Sequence, residues 1–392
     1  MSRRFLSLTF LLGSLLILAL GGIVAFRNTE LRAYFRTEAA NAVINDYVDH
    51  AVLQTLNLLV TDLDALNESA RTLQATPSQA HLDSMIDRWH IAWATWMKDV
   101  AFQFGPATQY DYHKRLATWP VDKVLVEHSL SLIEADKLTI DSRYLREELF
   151  SGLRGLFTVK YLLLREGKPR DVATMSDAEM SYLSAVTQAL LEESIDFKAA
   201  WCGTKNLSPS EVAIIQATSI KEKSAYGVEL KQSGTPLSRY ASESVVLQEI
   251  FQDISGVFED MTSQISELSV ESETGPAKYW ELPTPCQDLI NQLTSAQNAY
   301  LGGVEGSRGR ALSELVIEHD EILDRRIKIS FAHTAYRIEA VRNALDKPAD
   351  ERDLTVRRAE SELEKLNARV GSAMSLVVLD SAMRPHAAYL NK

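Results

Sequence analysis

Residues 43–73 read VINDYVDHAVLQTLNLLVTDLDALNESARTL. Within them Val43, Tyr47, Ala51, Thr55, Leu59, Leu63, Leu66, Ala70 and Leu73 follow one another at steps of three and four. Such steps keep returning to one side of a 3.6-residue turn, so the stretch predicts a long amphipathic helix over 29–75. Pro77-Ser78 ends it and caps the next, which runs to Phe104 with Ile86, Trp89, Trp93 and Trp96 at helical spacing. Gly105-Pro106 stops that helix, and Trp119-Pro120 opens another with the proline in its first turn.

Beyond this point the same periodicity predicts helices over 143–166, 176–202, 209–232, 238–270, 286–301, 309–345 and 350–379. Gly- and Pro-bearing breaks separate them: Gly167–Pro169, Gly203–Pro209, Gly234–Pro236, Gly275–Pro285 and Asp346–Pro348. Nowhere do five or more residues alternate with period two between turn signals, which leaves no case for a sheet. Long helices joined by short loops pack as antiparallel bundles, and about ten of them fit two bundles better than one. The expected fold class is therefore all-α, with one helical bundle over 29–205 and a second over 206–392. An N-terminal hydrophobic segment, 1–28, precedes them.

That segment carries Arg3 and Arg4, followed by the uncharged run of 22 residues from Phe5 to Phe26. Basic then apolar is the order read by the secretion machinery, which keeps the arginines cytoplasmic and sends the rest across the membrane. The run exceeds the usual signal-peptide core and is long enough to span a bilayer, so an uncleaved anchor through residues 5–26 is favoured. Ala19-Leu20-Gly21 is the cleavage site of the alternative. No cysteine lies near residue 20, which excludes lipoprotein processing. The expected location is the periplasmic side of a bacterial inner membrane.

Acidic residues outnumber basic ones by 53 to 41, leaving a net charge of −12 that would repel phosphate backbones and argues against nucleic acid as a partner. The two cysteines, Cys202 and Cys286, form neither a zinc cluster nor a redox pair. One disulfide between them is conceivable in an exported chain; two unpaired thiols are the alternative. There is no G-x-S-x-G, no phosphate-binding loop and no dinucleotide fingerprint. None of the histidines forms H-E-x-x-H or stands three or four residues from another. Glu318, His319 and Asp320, with Asp324, make the densest acid–histidine cluster, but neighbours on a helix diverge by about 100° and suit a solvated face better than a chelate. Asp111 and His113, on the loop after Gly105-Pro106, would need help from elsewhere to form a site.

Three stretches, taken in order, carry a family likeness. The first holds Trp93-Ala-Thr-Trp96, Phe102-Gln-Phe-Gly-Pro106 and Trp119-Pro-Val-Asp122. The second runs from Leu153 to Leu163. The third comprises Tyr279-Trp280, Leu289–Gly303 ending in Ala-Tyr-Leu-Gly-Gly, and Leu312–Arg337. Together they resemble the imelysin-type envelope proteins, the group that includes insulin-cleaving membrane protease and iron-regulated uptake proteins. The resemblance spans roughly 35–385. It implies a two-bundle all-α fold in the periplasm, associated with iron acquisition and with other envelope iron-uptake proteins. The family was once classed as a metallopeptidase. Its signature, G-x-H-x-x-E, sets a histidine and a glutamate one turn apart on a helix, where they could share a cation; one branch, G-L-P-A-L-E, keeps only the glutamate.

Here Gly155 matches the glycine, Phe157 stands in place of the histidine and Lys160 in place of the glutamate. Phenylalanine has no lone pair for a metal, and a lysine ammonium offers only donors and a positive charge. At these positions the implied metal or catalytic site is missing. Phe157 and Tyr161 then read as core, with Lys160 solvated or ion-paired; the sharper alternative is an anion site built from Lys160 and Arg154. Asp111, His113 and Asp122 remain as further binding candidates, and Glu318, His319 and Asp324 as weak metal ligands. The resemblance points to iron or another divalent cation as ligand, while the residues themselves identify none. The expected role is a non-catalytic binding or accessory component of metal acquisition. Its alternatives are a metallopeptidase with a site outside the motif and an envelope scaffold.

The charge order at the N-terminus makes a direct prediction. A reporter fused after Lys392 that works only in the periplasm should be active; activity from a reporter that works only in the cytoplasm would reverse the topology.

Overall fold

All of the apolar positions read from 43–73 are buried. They lie on α1, which runs from residue 37 as an α-helix, passes through a π-helical turn at Tyr47–Val52 and continues over Leu53–Ala75. Steps of four overshoot a 3.6-residue turn by about 40° each, so the succession from Val43 to Leu63 would walk round a regular helix. The wider π turn takes up part of that drift and keeps the stripe facing inward. The computed structural model describes residues 37–382 apart from 166–167, 219, 222 and 270–284. Residues 5–26, Tyr279-Trp280 and all but the last residue of 275–285 lie outside the described residues.

After α1 come α2 (Gln79–Met97), α3 (Pro106–Gln109), α4 (Tyr112–Ala117), α5 (Lys123–Glu134), α6 (Ser142–Glu147), α7 (Leu156–Leu163) and α8 (Asp177–Cys202). Then follow α9 (Pro209–Gln216), α10 (Tyr226–Lys231), α11 (Glu243–Ser266), α12 (Pro285–Tyr300), α13 (Leu312–Arg342) and α14 (Ala349–Ala382). Every regular element among the described residues is helical. The fold is all-α, as the periodicity requires. None of the described helices is long and apolar enough to cross a membrane.

In the first half α1 packs between α2 and α8, and the short helices α4 to α7, α9 and α10 lie against α8. In the second half α11, α12, α13 and α14 form a four-helix bundle. One connected apolar core runs through both halves. The cap at Ser78 forms as its sequence suggests, its Oγ accepting from the His81 N–H at 3.2 Å.

Several expected helices are interrupted, each for a local reason. The span 143–166 divides because Arg154 is extended and Gly155 takes φ +97°, so α7 begins only at Leu156. A β-carbon on Gly155 would stand 2.8 Å from the Leu116 carbonyl oxygen, a contact that only glycine avoids. The span 209–232 splits into α9 and α10. The helix expected from Trp119-Pro120 starts at Lys123, where Asp122 accepts from the Leu125 N–H at 3.0 Å. Asp320 breaks α13 with φ −154° and ψ 93° and caps the resumed helix at Leu323 N–H, 2.9 Å away.

The loop between α12 and α13 clamps the second half onto the π turn. Val304 N–H donates to the His50 carbonyl at 3.2 Å, and Arg310 N–H donates to Asp46 Oδ2 at 2.6 Å. Gly303 permits this approach: a β-carbon there would lie 2.5 Å from the His50 carbonyl oxygen, with φ at +133°. Gly303→Ala should therefore cost roughly 2 kcal/mol or more, lowering Tm by several degrees. Gly371 sits inside α14, where an added β-carbon would meet nothing within 4 Å, so Gly371→Ala should raise stability by about 0.5–1 kcal/mol. Thermal denaturation followed by circular dichroism checks both signs.

Candidate functional site

The motif positions lie where α7 meets the tryptophan face of α2 and the first turn of α12. Helical spacing places Trp89 and Trp93 on one side of α2, their rings stacked with centroids 5.9 Å apart. The Trp89 indole N–H donates to the Leu156 carbonyl at 2.7 Å, fixing the start of α7. Phe157, only 5% exposed, wedges between Trp93 and Trp119, with centroids at 4.7 and 4.9 Å. The sequence reading of Phe157 as core matches this packing.

Lys160 is buried one turn further on, with Nζ 5.8 Å from the centre of the Trp89 ring. Across the junction, α12 supplies Asp288, also buried, whose Oδ1 accepts from the Trp93 indole N–H at 2.9 Å. Burial pushes the Asp288 carboxyl up to about 7, against the opposing pull of the Trp93 N–H and the Lys160 charge. Burial also lowers His90, with Asp87 opposing and Lys160 reinforcing the shift. Asp288 and His90 thus both feel the ammonium. A phenyl ring and a cation replace the two ligands of the G-x-H-x-x-E signature, so this pair does not fit a metal ion.

Arg154 does not join Lys160. Its Nη1 donates to the carbonyls of Leu145 and Arg146 at 3.0 and 2.7 Å, and it lies 3.8 Å from Glu193. There it enters a buried polar network that the sequence reading missed. Glu192, Glu193 and Asp196 project from α8 into the first half. Arg146 meets Glu192 at 2.7 Å; Arg115 pairs with Glu193 and, at 3.2 Å, with Asp196, which also accepts from Tyr112 OH at 2.7 Å. The acidic run Glu192-Glu193, set between Ala189-Leu190-Leu191 and Ile195, is the signal that could have exposed this network. The anion site imagined from Lys160 and Arg154 is not assembled, since each side chain serves a different cluster.

The other candidates are dispersed. Asp111 takes φ +54° and pairs with Lys114 at 2.8 Å, next to an exposed His113. Asp122 is the cap of α5. Glu318 is exposed, and His319 Nδ1 lies 2.8 Å from the Leu315 carbonyl. Asp324 is buried, accepts from Tyr300 OH at 2.9 Å and pairs with Lys328 at 2.8 Å. Among the described residues no three His, Cys, Asp or Glu side chains converge as a metal site. Cys202 and Cys286 are separate buried thiols, each pushed up to about 11 chiefly by burial.

Two further acids, Asp99 and Asp253, are buried in the same core. Asp99 is fully buried and accepts from the Gln103 amide at 2.6 Å, while burial holds its carboxyl well above the usual range. Burial, then Glu249 and Asp260, push Asp253 on α11 up to about 7. A carboxyl raised in the folded state stabilises the fold below its ordinary value, near 4, and loses that contribution as pH climbs through about 7. Asp253→Asn should then gain roughly 2–4 °C in Tm relative to the parent between pH 4.5 and pH 8. Equal Tm differences at both pH values would remove Asp253 as a source of the pH dependence.

The imelysin family profile matches residues 52–370. Iron-regulated protein A of Synechococcus elongatus is 21% identical over 310 residues, which cover 77% of this chain and 76% of that protein. The crystal structure of a protein described as an iron-regulated protein A precursor, from Parabacteroides distasonis, superposes with a TM-score of 0.69 at 21% identity. It covers 87% of this chain and 95% of its own. An imelysin-like protein from Psychrobacter arcticum gives a TM-score of 0.60 at 14% identity, covering 87% and 96%. The two structural likenesses concern the fold, and the profile match over most of the sequence places the chain in the imelysin family.

Proposed function

We propose that this imelysin-family chain is a non-catalytic binding or accessory component of metal acquisition, chiefly of iron, held on the periplasmic side of the inner membrane through residues 5–26. Other envelope iron-uptake proteins are its expected partners. The iron assignment draws on the name of the Synechococcus relative, an iron-regulated protein. The non-catalytic assignment draws on one observation: the two motif positions that could chelate an ion carry Phe157, closed between two indoles, and Lys160, whose charge is felt by Asp288. The Lys160 charge, held by the chain itself, acts on the buried Asp288 carboxyl in the same direction as a bound cation would.

A scaffold role is favoured by a different feature. Beside the motif, an apolar cleft of about 550 Å³ is lined by residues including Val121, Leu125 and Gly152, and its walls Val124 and Phe150 are each 79% exposed. A metallopeptidase would need ligands elsewhere.

The double substitution Phe157→His, Lys160→Glu tests the first reading. Positions three apart on a helix face the same way, with β-carbons about 5–6 Å apart, so an imidazole and a carboxylate there can share one ion. Asp288 would supply a further oxygen from the opposite helix. Calorimetric titration with zinc and with anaerobic ferrous iron should show at least about a tenfold gain in affinity over the parent, since mutating even the partners that orient a metal's ligands costs about 10–100-fold. Binding by the parent that these substitutions abolish would mean that Phe157 and Lys160 already belong to a metal site.

A further inference from the structure

We propose that the outward face of α13, with the adjoining part of α14, is a docking surface for an anionic lipid bilayer. This inference is independent of the iron reading. The chain as a whole is strongly acidic at −12, yet residues 325–338 contain Arg325, Arg326, Lys328, His333 and Arg337 and no acid at all. The acids of α13 fall mostly before this stretch, at Glu314, Glu318, Asp320, Glu321 and Asp324, with Glu339 after it. The antiparallel α14 extends the basic surface. His333 lies 4.0 Å from Glu362, which sets the register and brings Arg358 level with Arg337. Arg326, Arg337, Arg357 and Arg358 form no ion pair with another described residue. Most acids bordering this face are matched by bases: Glu321 by Arg325 at 2.8 Å, Glu339 by Arg342 at 3.0 Å, Glu351 by Lys347 at 3.6 Å, and Glu362 by Lys365 at 3.4 Å and by His333. Glu318, Asp350 and Glu364 are exposed at its margins.

Hydrophobicity then narrows the choice of partner. Ile322, Ile329 and Tyr336 follow at intervals of seven and are 60%, 48% and 67% exposed. A seven-residue step returns to within about 20° of the same direction on a helix, so the three form one line. The inward face of α13 is fixed by Ile327, Phe331, Thr334 and Ile338, all buried, and the line lies opposite them. From Ile322 to Tyr336 it extends about 21 Å along the helix. Leu354, 52% exposed, continues it at the α14 end.

A convex ridge cannot enclose a small ligand; it needs a flat or yielding partner. Aliphatic side chains and a tyrosine flanked by arginines match the composition of helices that lie in the headgroup layer, with apolar tips in the acyl boundary and cations at the phosphates. Against a second copy of the same ridge, the arginines would meet like charge.

The test uses the full chain reconstituted in vesicles, with a fluorophore on an introduced Ile329→Cys; the native thiols are buried and stay unlabelled in the folded protein. Acrylamide, a neutral quencher, reports exposure of the label. In vesicles with about a third phosphatidylglycerol, quenching should fall at least about threefold relative to pure phosphatidylcholine, and added salt should restore it. Arg326→Glu with Arg337→Glu should abolish the shielding while leaving the circular-dichroism spectrum unchanged. Equal quenching in both vesicle types would overturn the proposal, and so would shielding that survives the charge reversal. The first outcome would leave an acidic protein surface as the partner to seek.

Discussion

Asp288 is a carboxylate buried between two helical layers, and the junction is arranged around it. An unsatisfied charge there would cost several kcal/mol. The Trp93 indole N–H and the Lys160 ammonium lower that cost, though burial still leaves the carboxyl at about 7. Because Trp93 also packs on Phe157 and stacks on Trp89, meeting the needs of one acid fixes the tryptophan face, the wedge and the start of α7 together. Further along the same junction, Ala101 N–H donates to Ser295 Oγ at 3.0 Å and Val304 N–H to the His50 carbonyl. Directed bonds of this kind set the register of α12, which apolar packing alone would leave free to slide.

Within that frame the replaced motif makes physical sense. Gly155 persists because its backbone passes the Leu116 carbonyl too closely for a side chain, a constraint indifferent to metal chemistry. The two ligand positions face the junction, where their chemistry is decided by what they meet. A ring fills space among indoles, and an ammonium answers an acid. The proposed non-catalytic role rests on this exchange of an ion-binding pair for a ring and a cation.

Much of the fold was legible in the sequence because burial imposes a period. The stripe from Val43 to Leu73 needed only the step of three and four, and the cap at Ser78 needed only its position before an apolar run. The interruptions were not legible for a matching reason. Gly155 breaks a helix through a contact with Leu116, a residue on a different element, and Asp320 breaks one in a stretch whose composition suits an unbroken helix. At the site, the loss of chelating chemistry at Phe157 and Lys160 could be read directly from residue type. Asp288 could not, since it lies more than a hundred residues away on a helix with its own apolar period. For the network of Glu192, Glu193 and Asp196 the adjacent acids were a signal, but its partners were not legible, since they come from four separate segments.

The claim that Lys160 acts through Asp288 is most directly tested by a double-mutant cycle. Stabilities of the parent, Lys160→Met, Asp288→Asn and the double variant would be measured by denaturant unfolding at pH 8, where the carboxyl is ionised. The account predicts a coupling of about 1–3 kcal/mol, with the double variant more stable than the sum of the single losses implies. Additivity to within about 0.5 kcal/mol would show that the two charges do not depend on each other.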